Sequence, residues 1–135
     1  MSYANAAALQ AAVYQHLLAD AAVSARVGSD IYDSLPSGPL PDLYLTLGAE
    51  KVRDASDALG TGAWHDLTVA VITEQSGFHA AKEVAVAVSD ALQDADLMLD
   101  RGRLVGLRFL RAQAKRESAT VRRVEMTFRA RVEDV

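Results

Sequence analysis

The sequence predicts an α+β fold, with two main helices packed on one face of a mainly antiparallel four- to five-stranded sheet. Three observations carry that expectation. Between Trp64 and Thr73, Leu67, Val69 and Val71 alternate with Thr68, Ala70 and Ile72, the pattern of a buried strand. Beyond Ser76-Gly77, residues Phe78, Ala81, Val84, Ala85, Val88, Ala91 and Leu92 recur at three- and four-residue steps as the apolar stripe of a helix. The chain then closes on two alternating segments whose polar positions are rich in arginine. A strand and a helix with one apolar face each must bury those faces, and the simplest partner for each is the other.

Taken in order, Ser2 is placed to cap a first helix with Leu9, Val13 and Leu17 as its core stripe and alanine filling much of the rest. A second short turn, Ala21 to Val27, ends at Gly28. Ser29 to Leu35 reads as extended. Pro36, Pro39 and Pro41, the only prolines, then impose an irregular connection with Tyr32 and Tyr44 at its borders. Leu43, Leu45 and Leu47 alternate with Tyr44 and Thr46 in a strand that stops at Gly48. Glu50 to Ala63 is the least hydrophobic section and reads as a loop or long hairpin tip. The strand Trp64–Thr73 follows, then a helix over Gly77–Ala95 that Ser76 is placed to cap. In Arg103–Arg111, Val105, Leu107 and Phe109 are expected on one face; Gln113 to Thr120 is a polar connection. In Val121–Val132, Val124, Met126, Phe128, Ala130 and Val132 share the apolar face.

A chain of 135 residues is expected to form one domain, 1–135, and is long enough to bury its own core without a staple. The absence of cysteine excludes thiol catalysis, thiolate metal sites and disulfides. No apolar run approaches the ~20 residues of a membrane span, and Met1 to Asn5 lack the basic start of a secretory signal. The net charge of −4 argues against a general nucleic-acid binder, but the charge is polarised. Residues 1–100 hold four basic and fourteen acidic side chains; residues 101–135 hold ten basic and four acidic ones. Such polarity suits a subunit that packs head to tail or faces two neighbours. The plainer reading is a strand pair with a solvated basic face.

Chemistry-bearing constellations are sparse. His16, His65 and His79 form no H-x-x-H or H-E-x-x-H pair, so no zinc site is expected; they read as helix-edge and element-end residues. Asp90 and Asp94 are four apart on the expected helix, off its apolar stripe, and read as a solvated face or an acidic patch for a basic neighbour. The serines lack a nucleophile elbow, and Gly60-Thr61-Gly62 lacks the lysine of a phosphate loop. Trp64, Phe78, Phe109 and Phe128 read as core. No enzyme activity and no cofactor is expected. The polar feature above background is an arginine row, Arg108, Arg111, Arg123, Arg129 and Arg131, expected on one sheet face.

The order of features resembles the tail-completion family of tailed phages over almost the full length. Ala25-Arg26-Val27-Gly28 leads to Ile31-Tyr32-Asp33, then Leu35-Pro36, then Pro41-Asp42-Leu43-Tyr44-Leu45-Thr46-Leu47-Gly48. His65-Asp66-Leu67-Thr68-Val69 looks like the family's central strand, and Ala81-Lys82-Glu83-Val84-Ala85 through Asp90-Ala91-Leu92 like its second helix. Leu104-Val105-Gly106-Leu107-Arg108 and Met126 to Val132 look like its closing strands. The resemblance implies a tail terminator of a tailed phage or phage-derived gene transfer agent: a homohexameric ring at the head-proximal end of the tail, assembled in the bacterial cytoplasm. Its partners would be itself, the major tail tube protein, the head–tail connector or stopper, and DNA passing through the lumen without sequence-specific binding, with no membrane. The expected interface residues are Arg108, Arg111, Arg123, Arg129 and Arg131, with Arg123, Arg129 and Arg131 meeting Asp90 and Asp94 of a neighbour. The 50–63 segment, with Lys51, Arg53, Asp54 and Asp57, would reach the tube or lumen. Alternatives are a head–tail stopper or other minor tail protein, or a small α+β ligand-binding dimer.

Overall fold

A computed structural model describes residues 3–56 and 61–134 of the chain. Among these the chain forms α1 (Ala6–Ala19), α2 (Ala21–Val27), β1 (Ile31–Tyr32), β2 (Leu43–Thr46), β3 (Glu50–Asp54), β4 (Gly62–Thr73), α3 (His79–Leu92), β5 (Arg103–Arg116) and β6 (Arg122–Glu133). The sheet runs β1-β2-β4-β6-β5, with β3 also paired to β4. β4 pairs with β6 along its whole length, from Gly62 opposite Glu133 to Thr73 opposite Arg122. The α+β class holds, with differences of detail: a short third helix, six described strands, and a mixed sheet because β1 runs parallel to β2.

The core lies between the helices and the inner sheet face. Leu9, Val13 and Leu17 of α1, Val84, Val88 and Leu92 of α3, and Val69, Val71, Met126, Phe128 and Val132 of the sheet form one buried cluster. Inner and outer residues alternate along β4 and β6, because successive strand side chains point to opposite faces. A second small cluster lies on the outer face, where Tyr44 covers Ala70 and Ile72 with Tyr32 and Val121 packed beside them. That is why β4 carries apolar residues on both faces at its C-terminal end.

Several boundaries differ from expectation, each for a local reason. β2 does not end the pairing at Gly48. The register moves on by one residue at a bulge there, with Gly48 at φ 122°, and the chain continues as β3 along the same edge of β4. β3 is nearly all charged and packs only Val52 inward, so its sequence carries no strand signal; β4 supplies the template. Within the 50–63 segment, Glu50–Asp54 is therefore a strand and β4 begins at Gly62, while 57–60 lie outside the described residues.

Ser76 does not cap α3: the helix starts at His79, and its capping position is Phe78, without a side-chain bond. The helix ends at Leu92, where the Gln93 Oε1 accepts from the Phe109 N–H (2.9 Å) and the Asp94 N–H donates to the Leu107 carbonyl (2.9 Å). α1 starts at Ala6, and the expected cap, Ser2, lies outside the described residues. Asp20 ends α1 and caps α2 by accepting from the Val23 N–H at 3.0 Å.

β5 runs to Arg116, five residues past expectation, because β6 pairs with it throughout. Bulges at Val105 and Leu110 shift its phase, so Leu104 and Leu107 point inward and Val105 is exposed. Of the four aromatics expected in the core, Phe128 is fully buried, Phe109 is partly exposed, Phe78 is half-buried, and Trp64 lies on the outer face.

The start of α1 is tied to the closing strands. Asn5 is buried, and its amide donates to the Arg101 carbonyl at 2.8 Å. Gly102 beside it has φ 80°, and a Cβ there would collide with the Asn5 side chain and come within 2.5 Å of the Glu133 carbonyl. Gly102→Ala is therefore expected to destabilise by about 1–3 kcal/mol through both strain and overlap, read by urea denaturation. Phe128→Ala should cost about 3–5 kcal/mol as a core truncation. Val86→Ala on the exposed side of α3 should change stability by less than about 0.5 kcal/mol.

Candidate functional site

The outer face of the β3-β4-β6-β5 region is the polar surface that the fold assembles. Alternation and register place Lys51 and Arg53 of β3, Trp64, Asp66 and Thr68 of β4, and Arg131, Arg129, Thr127, Glu125 and Arg123 of β6 on it in adjoining rows. Arg108 pairs with Arg129 and Arg111 with Thr127, so β5 brings both predicted arginines to this face, beside Arg103 opposite Glu133 and Lys115 opposite Arg123. Arg108 and Arg111 are three apart and would oppose each other on a regular strand. The bulge at Leu110 puts both on this face.

The arginines are not equivalent. Arg129 forms a two-pronged pair with Asp66, Nε to Oδ1 at 2.8 Å and Nη2 to Oδ2 at 3.0 Å. That hydrogen bonding is the main reason the Asp66 carboxyl is held below its ordinary value, with Arg53 and Arg111 adding to it. Arg131 donates from Nη2 to the Ala55 carbonyl at 3.0 Å and lies over the Trp64 ring at 5.5 Å, while Arg53 lies over the same ring at 5.8 Å. Gly62 leaves room for that guanidinium, since any Cβ there would strike it. Arg123 is 3.6 Å from Glu117 and 3.4 Å from Glu125, which also takes Lys115 at 3.3 Å. Among the described residues, Lys51, Arg108 and Arg111 have no ion pair or side-chain hydrogen bond, and all three are exposed.

The sequence-predicted acidic partners lie elsewhere. Asp90 is exposed on the last turn of α3, on the helix side of the sheet. Asp94 is past the helix end at φ 58°. The two do not share a helix face, and within one chain neither meets the arginine row. Asp54 accepts from the Ser56 hydroxyl at 2.7 Å near the β3–β4 tip; Asp57 lies outside the described residues. Asp66 was the unpredicted member of the site. Alternation puts it outward with Thr68, but only the β4–β6 register shows that it meets Arg129.

The histidines do not converge. His16 Nε2 is 2.8 Å from the Ala91 carbonyl, and His79 is exposed beside Glu83. His65 is fully buried inside β4 under Tyr3, not at a strand end. Its Nδ1 is 3.5 Å from Glu50 Oε2, and neither ring nitrogen has a well-aligned hydrogen bond among the described residues. Among those residues no three potential metal ligands come together, and no helix is long and apolar enough to cross a membrane. The arrangement leaves exposed positive charge on the outer sheet face.

Because Asp66 titrates below its ordinary 3.8 when folded, its pair stabilises fully above about pH 5 and loses that contribution as pH falls through the carboxylate range. Asp66→Asn should remove about 1 kcal/mol at pH 7 and flatten the decline of melting temperature between about pH 5 and pH 3, measured by thermal denaturation across pH.

The family model described as tail completion protein gp17 matches residues 11–133. A solved chain from a structure described as the virion of a native gene transfer agent particle is 60% identical, with a TM-score of 0.94 over 98% of this chain and 99% of that chain. No match is found among curated proteins. With the model covering nearly the whole fold, from the middle of α1 to the end of β6, the chain belongs to the tail completion protein gp17 family.

Proposed function

We propose that the protein is a structural tail component that caps the head-proximal end of the tail tube as a hexameric ring. It stops tube polymerisation and joins the tail to the head connector while DNA passes through the lumen. The observation that carries this reading is the near full-length, 60% identical match to a chain of a gene transfer agent virion, joined to membership of the tail-completion family. Its partners are then further copies of itself, the major tail tube protein, the connector or stopper protein, and the passing DNA.

The mechanism is physical, with no bond made or broken. One ring face matches the last ring of tube subunits, and the other must fail to match it, or growth would continue. The outer sheet face suits such work. Arg123, Arg129 and Arg131 are held by Glu117, Glu125, Asp66 and Ala55 of their own chain. Lys51, Arg108 and Arg111 are left for the carboxylates of a neighbour or the phosphates of DNA, without sequence readout. The strand β3, Glu50–Asp54, carries Lys51 and Arg53 on the side where a tube contact would form.

A ligand-binding dimer is less well supported. The groove of about 520 Å³ beside α1 has Tyr3 donating to Glu50 and Gln10 donating to Asp33, so both of its carboxylates are already engaged within the chain.

Deleting the gene in the producing strain and measuring tails by negative-stain electron microscopy tests the reading. Overlong or unjoined tails are expected. Normal-length tails on intact particles would overturn it, and tail-less heads beside normal-length free tails would assign a stopper role instead.

A further inference from the structure

Two exposed apolar features lie at opposite ends of the sheet order. At the β5 end, the β5–β6 hairpin runs past the helix layer and leaves a groove of about 390 Å³ between α3 and β5. Its floor is Ala85, Ala112, Ala114 and Met126; its sides are Val86, 60% exposed, and Phe109, 39% exposed. Ala112 and Ala114 occupy inner-face positions opposite Met126 and Val124, yet no helix covers them. At the β1 end, the 33–42 connection between β1 and β2 holds Leu35, 52% exposed, and Leu40, 39% exposed. Pro36, Pro39 and Pro41 keep this loop from pairing as a strand.

Charge and height match these two features to each other. The 33–42 loop carries Asp33 and Asp42 and no basic side chain, whereas residues 108–116 carry four basic and no acidic ones. The register also sets the loop level with the groove. Tyr32, where the loop begins, aligns through Thr46, Ala70 and Glu125 with Gln113 of β5. Leu43, where it ends, aligns through Thr73 and Arg122 with Arg116. A rotation about an axis along the strands preserves that height, so it brings one copy's loop beside the next copy's groove. The β5 edge is also open at this level: among the described residues, groups from the end of α3 meet its backbone only at Leu107 and Phe109.

We propose that the α3–β5 groove receives the Leu35–Leu40 loop of a second copy of the chain, with Asp33 and Asp42 of that loop set against the basic end of β5. The contact joins two different surfaces, so it propagates head to tail and closes where the rotation allows. The inference rests on the ring reading above. It assigns the acidic side of the ring contact to Asp33 and Asp42, where the sequence pointed to Asp90 and Asp94.

The chain has no cysteine, so introduced thiols report contacts without background. Particles would be assembled with Leu40→Cys/Ala112→Cys and, separately, with Leu35→Cys/Ala114→Cys, each beside its single-cysteine parents, and then oxidised. At least one double variant is expected to give a ladder of covalent multimers on non-reducing gels, with every single variant remaining monomeric. If both double variants stay monomeric in particles that carry the chain as a ring, the docking is overturned and the ring reading survives. Dimers from a single variant would mean a two-fold contact and overturn it too. Absence of the chain from the tails would remove the ring reading along with the docking. A photoreactive phenylalanine analogue at position 109 adds an independent readout. Attachment to a second copy supports the proposal, and attachment to a chain of different mass gives the groove to another tail protein and overturns it.

Discussion

The full-length antiparallel pairing of β4 with β6 is the constraint on which the rest of the structure depends. It sets Leu67 opposite Phe128, Val69 opposite Met126 and Val71 opposite Val124 on the inner face. The same register sets Trp64 beside Arg131 and Asp66 beside Arg129 on the outer face. A slip of one residue would exchange the two faces, burying arginines and exposing Phe128, so the hydrophobic pattern and the ion pairs both hold one register. β3 exists because β4 extends far enough to template it, and β5 reaches Arg116 because β6 does the same on the other side.

The outer face then has an electrostatic problem and a partial solution. Cations from three strands, β3, β6 and β5, converge on one surface, and directly opposed pairs such as Arg108–Arg129 and Lys115–Arg123 repel. Asp66, Glu117 and Glu125 offset that repulsion at Arg129, Arg123 and Lys115, and Trp64 accepts Arg53 and Arg131 over its ring. What is left over, chiefly Lys51, Arg108 and Arg111, is exposed charge without an intrachain partner among the described residues. A structural subunit that works by contact needs such a remainder, since charge spent inside the chain cannot recognise a neighbour.

The helix layer ends before the sheet does. Gln93 and Asp94 tie the end of α3 to β5 at Phe109 and Leu107, which protects that part of the edge strand. Beyond it the hairpin projects with alanines on its inner face, where larger side chains would have needed a covering helix of the same chain. At the opposite edge, β1 is two residues long and followed by a proline-bearing loop, so that edge offers shape and charge but little backbone for strand addition. The two edges are therefore different surfaces, as a head-to-tail assembly requires.

The sequence by itself determined the class of fold, the α3 stripe, the α2 boundaries, the inner face of β6 and the polarised charge, because each follows from local periodicity or plain counting. The full-length order of motifs also carried the family. What only the tertiary structure decided were features set by partners distant in the chain. β3 shows no strand signal until β4 lies beside it. Val105 reads as core until a bulge turns Leu104 inward in its place, and Arg108 and Arg111 share a face only because Leu110 is an extra residue. Asp66 becomes the partner of Arg129, sixty-three residues away, through register alone. Alternation tells which residues share a strand face, but which strands meet and at which rung is a property of the packed sheet.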